Sequence, residues 1–248
     1  MYINQTLEKL QSMKLSGMVK AFEEQLAMPQ IKELSFEERL NLLADREMIE
    51  RENRRLKYRL AFARLKMNAV IEDLDFKIPR GIDKSVVLSL ANCEWVRQHQ
   101  NIIITGPTGV GKSYLANAFA QKACREGFQA LYQRLSLLLS ELAMAKGDGR
   151  YAKILDKLSK SHVLILDDWG LQPLTESQRR DVLEIVEDRY NTRSTIITTQ
   201  FPLDKWHELI GDATIADAIL DRLVHNAHKI QMKGGSMRKK LNSLEKTS

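Results

Sequence analysis

The chain has 248 residues, enough for one large core or for a main domain with a smaller one. Lysine and arginine number 38 against 32 aspartate and glutamate, and the resulting net charge of +6 favours a polyanionic partner. There is no uncharged apolar run of about 18 residues, and the start, MYINQTLEKLQSMKL, lacks the apolar segment of a signal peptide. These features exclude a membrane-spanning protein and predict a soluble, cytoplasmic one.

Residues 1–70 predict a small all-helical N-terminal domain. Apolar residues recur at helical spacing from Thr6 until Pro29 interrupts the pattern. Ser35 and Glu38 then form a capping box, which predicts a long helix from Phe36 to about Met67. Residues 71–85 contain a Pro-Arg-Gly break and are predicted to be a linker.

A basic stretch, NRRLKYRLAFARLK, occupies residues 53–66 and contains no acidic side chain. On a helix, its cations flank an apolar stripe and could follow DNA phosphates while the stripe packs on a neighbour. A solvated helix that packs on the core is the alternative. No helix-turn-helix or zinc-finger pattern is present, so phosphate contacts should dominate over base contacts. The candidate DNA-binding residues are Arg54, Arg55, Lys57, Arg59, Arg64 and Lys66.

Residues 86–240 predict an α/β core, with a tail at 241–248. Short β-branched or apolar runs alternate there with helical stretches, as a mainly parallel five-stranded sheet between helices requires. The five predicted strands are NIIIT (101–105), FQALYQ (128–133), HVLILDD (162–168), STIITT (194–199) and HKIQM (228–232).

The segment GPTGVGKS, residues 106–113, matches the phosphate-binding pattern G-x-x-x-x-G-K-[ST] at every fixed position. A predicted strand precedes it and a predicted helix follows it, which is the context that such a loop needs. Lys112 would bridge the β- and γ-phosphates of ATP, and Ser113 would bind Mg²⁺. The predicted ATP-binding residues are Gly106, Pro107, Thr108, Gly109, Val110, Gly111, Lys112, Ser113 and Tyr114.

Two carboxylates, Asp167 and Asp168, end the apolar strand HVLILDD in the arrangement known as Walker B. Asp167 would hold Mg²⁺, and Asp168 would orient or deprotonate the attacking water. A solvated Asp-Asp turn is the alternative, but the phosphate loop some sixty residues earlier favours the nucleotide site. Together the two motifs predict an ATPase with ATP and Mg²⁺ as ligands.

The order of loop, extra strand, Walker B strand and further strand resembles the AAA+ branch of P-loop ATPases. The resemblance implies that Arg222, in DAILDRL, is an arginine finger that reaches the nucleotide of a neighbouring subunit. A surface ion pair is the alternative role for Arg222. The resemblance also places a polar sensor at Thr199, with Thr198 and Gln200 left open, and a second sensor at Arg238. Only ten residues follow Arg238, so a complete C-terminal helical lid is not expected.

The combination of a short helical N-terminal domain, LILDDWG and TTQFPLDKWHELIGD is similar to the IstB/DnaC-like group, and to IstB-like transposition helpers most closely. That resemblance spans nearly the whole chain. It implies an ATP-dependent homo-oligomer on double-stranded DNA that recruits or stimulates an insertion-sequence transposase. Because aspartate is one methylene shorter than glutamate, hydrolysis at Asp168 is expected to be slow without a partner.

Three other functions stay open at this point, of which a small-molecule kinase with a phosphate loop is disfavoured because the sequence shows no obvious arginine-rich lid. A DnaC-like loader of a replicative helicase would use the same ATPase core with a different client. A nucleotide-switched DNA scaffold that does not hydrolyse ATP is disfavoured by the Asp167-Asp168 pair and by Arg222.

Overall fold

The structure is a computed structural model that describes residues 2–237, without the side chain of Lys32. It divides into two compact units, one up to Tyr58 and one from Arg59 onward. The division therefore lies within the long helix Phe36–Ala63 and not after residue 70. Among the described residues, no helix combines the length and the apolar character that a membrane crossing demands.

The N-terminal unit is helical, as predicted. Its elements are α1 (Tyr2–Ser12), α2 (Ser16–Ala27), a 3₁₀ turn (Pro29–Glu33) and the first part of α3 (Phe36–Ala63).

The segment before Pro29 forms two helices and not one, because the chain turns at Lys14, whose φ is +59°. Glu47 is buried and accepts hydrogen bonds from the backbone N–H groups of Gly17 (2.7 Å) and Met18 (3.3 Å), which are free donors in the first turn of α2. The capping box is confirmed, since Ser35 and Glu38 exchange hydrogen bonds of 2.8 and 3.2 Å.

The second unit is a parallel sheet between helices. Its helices and strands are α4 (Lys84–Leu90), α5 (Glu94–Arg97), β1 (Asn101–Thr105), α6 (Lys112–Arg125), β2 (Ala130–Arg134), α7 (Leu135–Asp148), α8 (Tyr151–Lys160), β3 (Val163–Trp169), α9 (Glu176–Arg189), β4 (Ser194–Thr199), α10 (Trp206–Ile210), α11 (Ala213–Val224) and β5 (Ala227–Gln231). The strand order is β2-β3-β4-β1-β5. All four pairings are parallel, which confirms the predicted sheet.

The core lies on both faces of this sheet. Ile102, Ile103 and Ile104 in β1 are fully buried, as a strand covered by helices on both sides should be. On one face the rings of Trp169 and Trp206 stack with their centroids 4.9 Å apart. The central strands are thus held rigidly by apolar packing.

The strand order decides which residues meet at the carboxyl edge of the sheet. β4 lies between β1, which leads into the phosphate loop, and β3, which carries the two aspartates. The carboxyl ends of all three strands therefore converge, and such an edge is where ligands bind in open α/β sheets.

Candidate nucleotide-binding site

The loop after β1 begins with a glycine that no other residue could replace without a rearrangement. Gly106 has a φ of +148°, and a Cβ atom there would lie 2.4 Å from the backbone oxygen of Met232. Its N–H donates to the backbone oxygen of Thr199 (3.2 Å), which ties the loop to β4. The loop ends at Gly111, which precedes the first residue of α6. The result is a backbone turn that faces the amino end of a helix, a ready anion site.

Lys112 lies at the first position of α6 and is only 9% exposed. Its ammonium group donates to the backbone oxygens of Gly106 (2.8 Å) and Pro107 (3.0 Å). Burial lowers the pKa of Lys112, although the charges of Asp168 and Asp167 act in the opposite direction. The ammonium is thus held inside the loop, where phosphate oxygens could replace the two carbonyl oxygens.

Asp167 is fully buried, and three hydroxyl groups donate to its carboxylate. Oδ1 accepts from Ser113 (2.7 Å) and Thr198 (2.5 Å), and Oδ2 accepts from Tyr132 (2.6 Å). Burial alone would raise the pKa of Asp167, but these hydrogen bonds and the charge of Lys66 lower it below its ordinary value. The carboxylate is therefore ionised and fixed in position.

Asp168 points into a different environment because the strand bulges there. The register of β3 against β4 shifts between Leu166 and Trp169, and Asp168 has a φ of +64°. Its N–H donates to the hydroxyl of Thr198 (3.1 Å), and its Oδ2 lies 3.0 Å from Nε of Arg134. The bulge turns the carboxylate of Asp168 out of the core. The two neighbouring aspartates therefore lie in different surroundings, Asp167 in the core and Asp168 in the cleft.

A cleft of about 550 Å³ lies over the loop and these carboxylates, large enough for a nucleotide. It is lined by Lys66, Met67, Thr108, Gly109, Gly111, Lys112, Ser113, Tyr114, Arg134, Asp168, Leu171, Gln200 and Met237. The segment after β5 closes one side, because the N–H of Met237 donates to the backbone oxygen of Gly109 (2.8 Å). The walls of the cleft are thus formed by the phosphate loop, by residues at the carboxyl edge of the sheet and by the end of the described chain.

The residues present fit a magnesium ion bound together with a nucleotide. The hydroxyl of Ser113 and the ionised carboxylate of Asp167 are neighbouring hard oxygen donors at the edge of the cleft. Within residues 2–237 no cluster of three or more acidic, histidine or cysteine side chains could hold a metal unaided. Magnesium needs no such cluster here, because it commonly takes one or two protein oxygens and completes its shell with phosphates and water.

Most predicted nucleotide residues lie at this cleft. Thr108, Gly109, Gly111, Lys112, Ser113 and Tyr114 line it, whereas Gly106, Pro107 and Val110 shape the loop without lining it. Arg238 lies outside the described residues.

The three candidates for the first sensor lie in different surroundings. The hydroxyl of Thr199 is buried, donates to the backbone oxygen of Trp169 (2.9 Å) and accepts from the N–H of Phe201 (3.1 Å). Thr198 contacts Asp167, and Gln200 lines the cleft and accepts from Thr108 (2.6 Å). Thr199 therefore stabilises the strand end, and of the three residues only Gln200 lines the cleft.

Arg222 lies far from the cleft of its own chain. Its backbone oxygen accepts from the amide of Asn101, the first residue of β1, whereas the phosphate loop follows the last. Four residue steps along a strand span roughly 13 Å. The guanidinium is ion-paired with Glu187 and donates to the backbone oxygen of Ala218 (2.9 Å). Within one chain Arg222 cannot touch a nucleotide bound at the loop.

The six predicted DNA-binding cations separate into two groups. Arg54, Arg55, Lys57 and Arg64 are exposed. Arg59 is 7% exposed and donates from Nε to the backbone oxygen of Cys124 (2.7 Å), at the carboxyl end of α6, so it stabilises a helix terminus and does not face solvent. Lys66 lines the nucleotide cleft, with Nζ 3.7 Å from Oδ2 of Asp167. We therefore withdraw Arg59 and Lys66 from the predicted DNA surface.

The sequence analysis missed several residues at or beside the cleft. Arg134 ends β2, and Tyr132 lies two residues before it and contacts Asp167 on the neighbouring strand. The polar residues themselves are visible in the sequence, but the strand order that places β2 beside β3 is not. Lys66, Met67, Leu171 and Met237 carried no local signal of this kind.

The loop, the paired aspartates and the strand order define the class of protein, an AAA+-type P-loop fold. Solved structures agree with this fold. The DnaC helicase loader aligns with a TM-score of 0.55 at 23% identity, over 67% of this chain and 97% of its own. AMPPCP-bound DnaA from Aquifex aeolicus aligns with a TM-score of 0.58 at 16% identity, over 74% of this chain and 56% of its own.

Sequence comparison gives the family. The family described as IstB-like ATP binding protein matches residues 8–245. A Sinorhizobium fredii protein named as an insertion sequence ATP-binding protein, y4pL, is 51% identical over 96% of this chain and 98% of its own length. The IS21 ATP-binding protein of Pseudomonas aeruginosa is 36% identical over 94% of this chain and 87% of its own. The chain belongs to the IstB-like ATP-binding protein family.

Proposed function

We propose that the protein is an ATPase that assembles on double-stranded DNA in its ATP-bound state and recruits or stimulates the transposase of an insertion sequence. The observation that carries the nucleotide part is the carboxylate of Asp167, 2.7 Å from the hydroxyl of Ser113, next to a phosphate loop. The relatives that are named as insertion sequence ATP-binding proteins support a transposase as the partner.

The chemistry assigns a task to each residue of the cleft. Lys112 would exchange its loop carbonyls for phosphate oxygens, and Ser113 with Asp167 would hold Mg²⁺. Bound there, Mg²⁺ would neutralise charge on the phosphates. Asp168 would orient and deprotonate the attacking water, with Gln200 in the cleft as the polar residue beside the terminal phosphate. The short aspartate side chain and its pairing with Arg134 support slow turnover in the absence of a partner.

Assembly is proposed to complete this site. Arg222 is remote from the nucleotide of its own chain, so as a finger it must serve a second copy. A guanidinium from a neighbour would stabilise charge on the transferred phosphoryl group, and ATP would thereby hold copies together. For this, Arg222 has to leave Glu187.

DNA binding is proposed to depend on phosphate contacts by exposed cations. The net charge of +6 and the exposed Arg54, Arg55 and Lys57 support this proposal. A chain with such contacts should bind DNA with little sequence preference and with strong salt dependence.

Analytical ultracentrifugation with duplex DNA tests the proposal directly. In ATP and Mg²⁺ we expect large, discrete assemblies, and in ADP we expect smaller species. Lys112→Ala and Arg222→Ala should both lose the ATP-dependent species, whereas Arg180→Ala, a change of an equally charged exposed residue, should keep them. Identical sedimentation in both nucleotides would contradict the assembly. Pull-down with the transposase and with a replicative helicase then distinguishes the proposed client from the helicase-loader alternative.

A further inference from the structure

Lys66 is anchored beside the nucleotide cleft through its backbone. It lies just beyond the end of α3, and its N–H donates to Oδ1 of Asn117 on α6 (2.9 Å). Asn117 is fully buried, and its own amide donates to the backbone oxygen of Ser113 (2.6 Å). One buried amide therefore holds the backbone of Lys66 against the same turn of α6 that carries Ser113, the predicted magnesium ligand.

The side chain of Lys66 reaches the carboxylate that Ser113 contacts. Its ammonium nitrogen lies 3.7 Å from Oδ2 of Asp167, whose side chain is fully buried, whereas the Lys66 side chain is 41% exposed and lines the cleft. Among the described residues, Lys66 is the only cation that forms an ion pair with Asp167. Lys112 instead donates to carbonyl oxygens of the loop. Lys66 therefore adds a positive charge beside a carboxylate that three hydroxyl groups already hold.

A magnesium ion held by Asp167 and Ser113 would compete with this arrangement. Two cations beside one carboxylate repel each other, and the lysine side chain is the mobile partner because it has a flexible stem and an exposed head. A nucleotide bound in the cleft that Lys66 lines would bring several negative oxygens close to that stem. If the ammonium shifts from Asp167 to phosphate, Mg²⁺ and Lys66 each have a negatively charged partner.

We propose that Lys66 is a second polyphosphate-binding lysine, which pairs with Asp167 when no nucleotide is bound and contacts the phosphates when nucleotide binds, so that it competes with Mg²⁺ for the same negative charges. This inference rests on the proposed nucleotide function and adds a residue to it. Two consequences follow: Lys66 strengthens nucleotide binding without metal, and it raises the Mg²⁺ concentration that the site requires.

Binding of a fluorescent ATP analogue to the full chain tests both consequences without a measurement of hydrolysis. In EDTA, Lys66→Met should weaken binding roughly tenfold, because it removes a charge-assisted contact to phosphate. In a Mg²⁺ titration at fixed nucleotide, the same variant should reach half-saturation at a lower Mg²⁺ concentration. Lys66→Arg, which keeps the charge, should stay close to the unmodified chain in EDTA.

The control is Lys153→Met, which removes one exposed cation of α8 that does not line the cleft. It should change neither quantity. If Lys66→Met behaves like Lys153→Met in both measurements, Lys66 has no part in the site and the inference is overturned while nucleotide binding stands. If the unmodified chain binds no nucleotide even with Mg²⁺, the proposed function itself fails and the inference fails with it.

Discussion

Nε of Arg134 lies 3.0 Å from Oδ2 of Asp168, so the carboxylate proposed to activate water is engaged by a cation of the neighbouring strand. Both side chains are partly exposed, at 44% and 30%, which makes the pair weak and easily broken. In the proposed function, Arg134 therefore competes with the attacking water for the carboxylate of Asp168.

Arg134→Gln should therefore raise partner-free ATP turnover by about two- to fivefold, because the free energy of one exposed ion pair corresponds to a rate change of this size. Steady-state phosphate release at saturating ATP measures the effect. Asp168→Asn provides the matched control and should abolish turnover in either background. A fall in kcat for Arg134→Gln would mean that Arg134 stabilises the phosphates and does not restrain Asp168.

Gln200→Ala and Thr199→Val should separate the sensor role from the structural one. Gln200 faces the cleft, so its loss should lower kcat about tenfold and leave the melting temperature unchanged. Thr199 bonds to the backbone in a buried position, so Thr199→Val should lower the free energy of unfolding by about 1–3 kcal/mol. Thermal unfolding and phosphate release on both variants decide the matter. A stable Thr199→Val protein with lost turnover would restore Thr199 as the sensor.

Glu187→Gln should promote ATP-dependent assembly. The change removes the carboxylate that pairs with Arg222 and leaves a side chain of the same size. The guanidinium then needs less free energy to reach a second copy, so the protein concentration for half-assembly with ATP should fall about two- to fivefold. Sedimentation over a concentration series measures it. Glu176→Gln, which frees the exposed Arg180 in the same helix, should leave assembly unchanged.

Combined alanine substitution of Arg54, Arg55 and Lys57 should weaken DNA binding uniformly across sequences. Each phosphate contact contributes about 0.9 to the slope of log K against log salt, so the slope should fall by about 2 to 3. Fluorescence anisotropy at several salt concentrations measures this slope. Arg59→Ala should instead destabilise the fold, since its guanidinium binds a buried carbonyl oxygen. An unchanged slope for the triple variant would place the DNA surface elsewhere.

Stability should fall as the pH drops below about 6.5, the ordinary pKa of histidine. Burial, and then the charges of Arg193 and Arg189, lowers the pKa of His162, and burial lowers that of His228. The unfolded chain binds these protons below about pH 6.5, whereas the folded chain keeps both rings neutral to lower pH. The stabilisation is thus complete above the unfolded value and is lost as the pH decreases below it.

Chemical denaturation at several pH values checks that loss. His162 accepts from the N–H of Gln129 through Nδ1 (3.1 Å), and Asn can supply an acceptor in its place, so His162→Asn should flatten the pH dependence. The exposed His225→Asn serves as control, and an equal flattening there would contradict the assignment.

Much of the site could be predicted from sequence because its signals are contiguous. Eight consecutive residues between a strand and a helix specify the phosphate loop, and an apolar run that ends in two aspartates specifies Walker B. Backbone conformation at glycines and the amino end of a helix are local properties, so these motifs carry their own geometry. The parallel sheet followed from the same local alternation of strands and helices.

Local sequence could not predict where the N-terminal unit ends or which cations of the basic stretch are exposed to solvent. Arg59 and Lys66 belong to one run of cations in sequence, yet one binds a helix terminus and the other enters the cleft. Which cation stays in solvent depends on what packs against each turn, and charge alone does not contain that information.

Local sequence was enough to predict the class of fold, the phosphate loop and the carboxylate proposed to hold magnesium. The contacts between distant residues were found only in the folded protein: Thr198 and not Thr199 contacts Asp167, a bulge turns Asp168 toward Arg134, and Lys66 pairs with Asp167. The physical reason is that local motifs depend on backbone conformation. Contacts between distant side chains depend on strand order and register, which the packing of the whole unit sets.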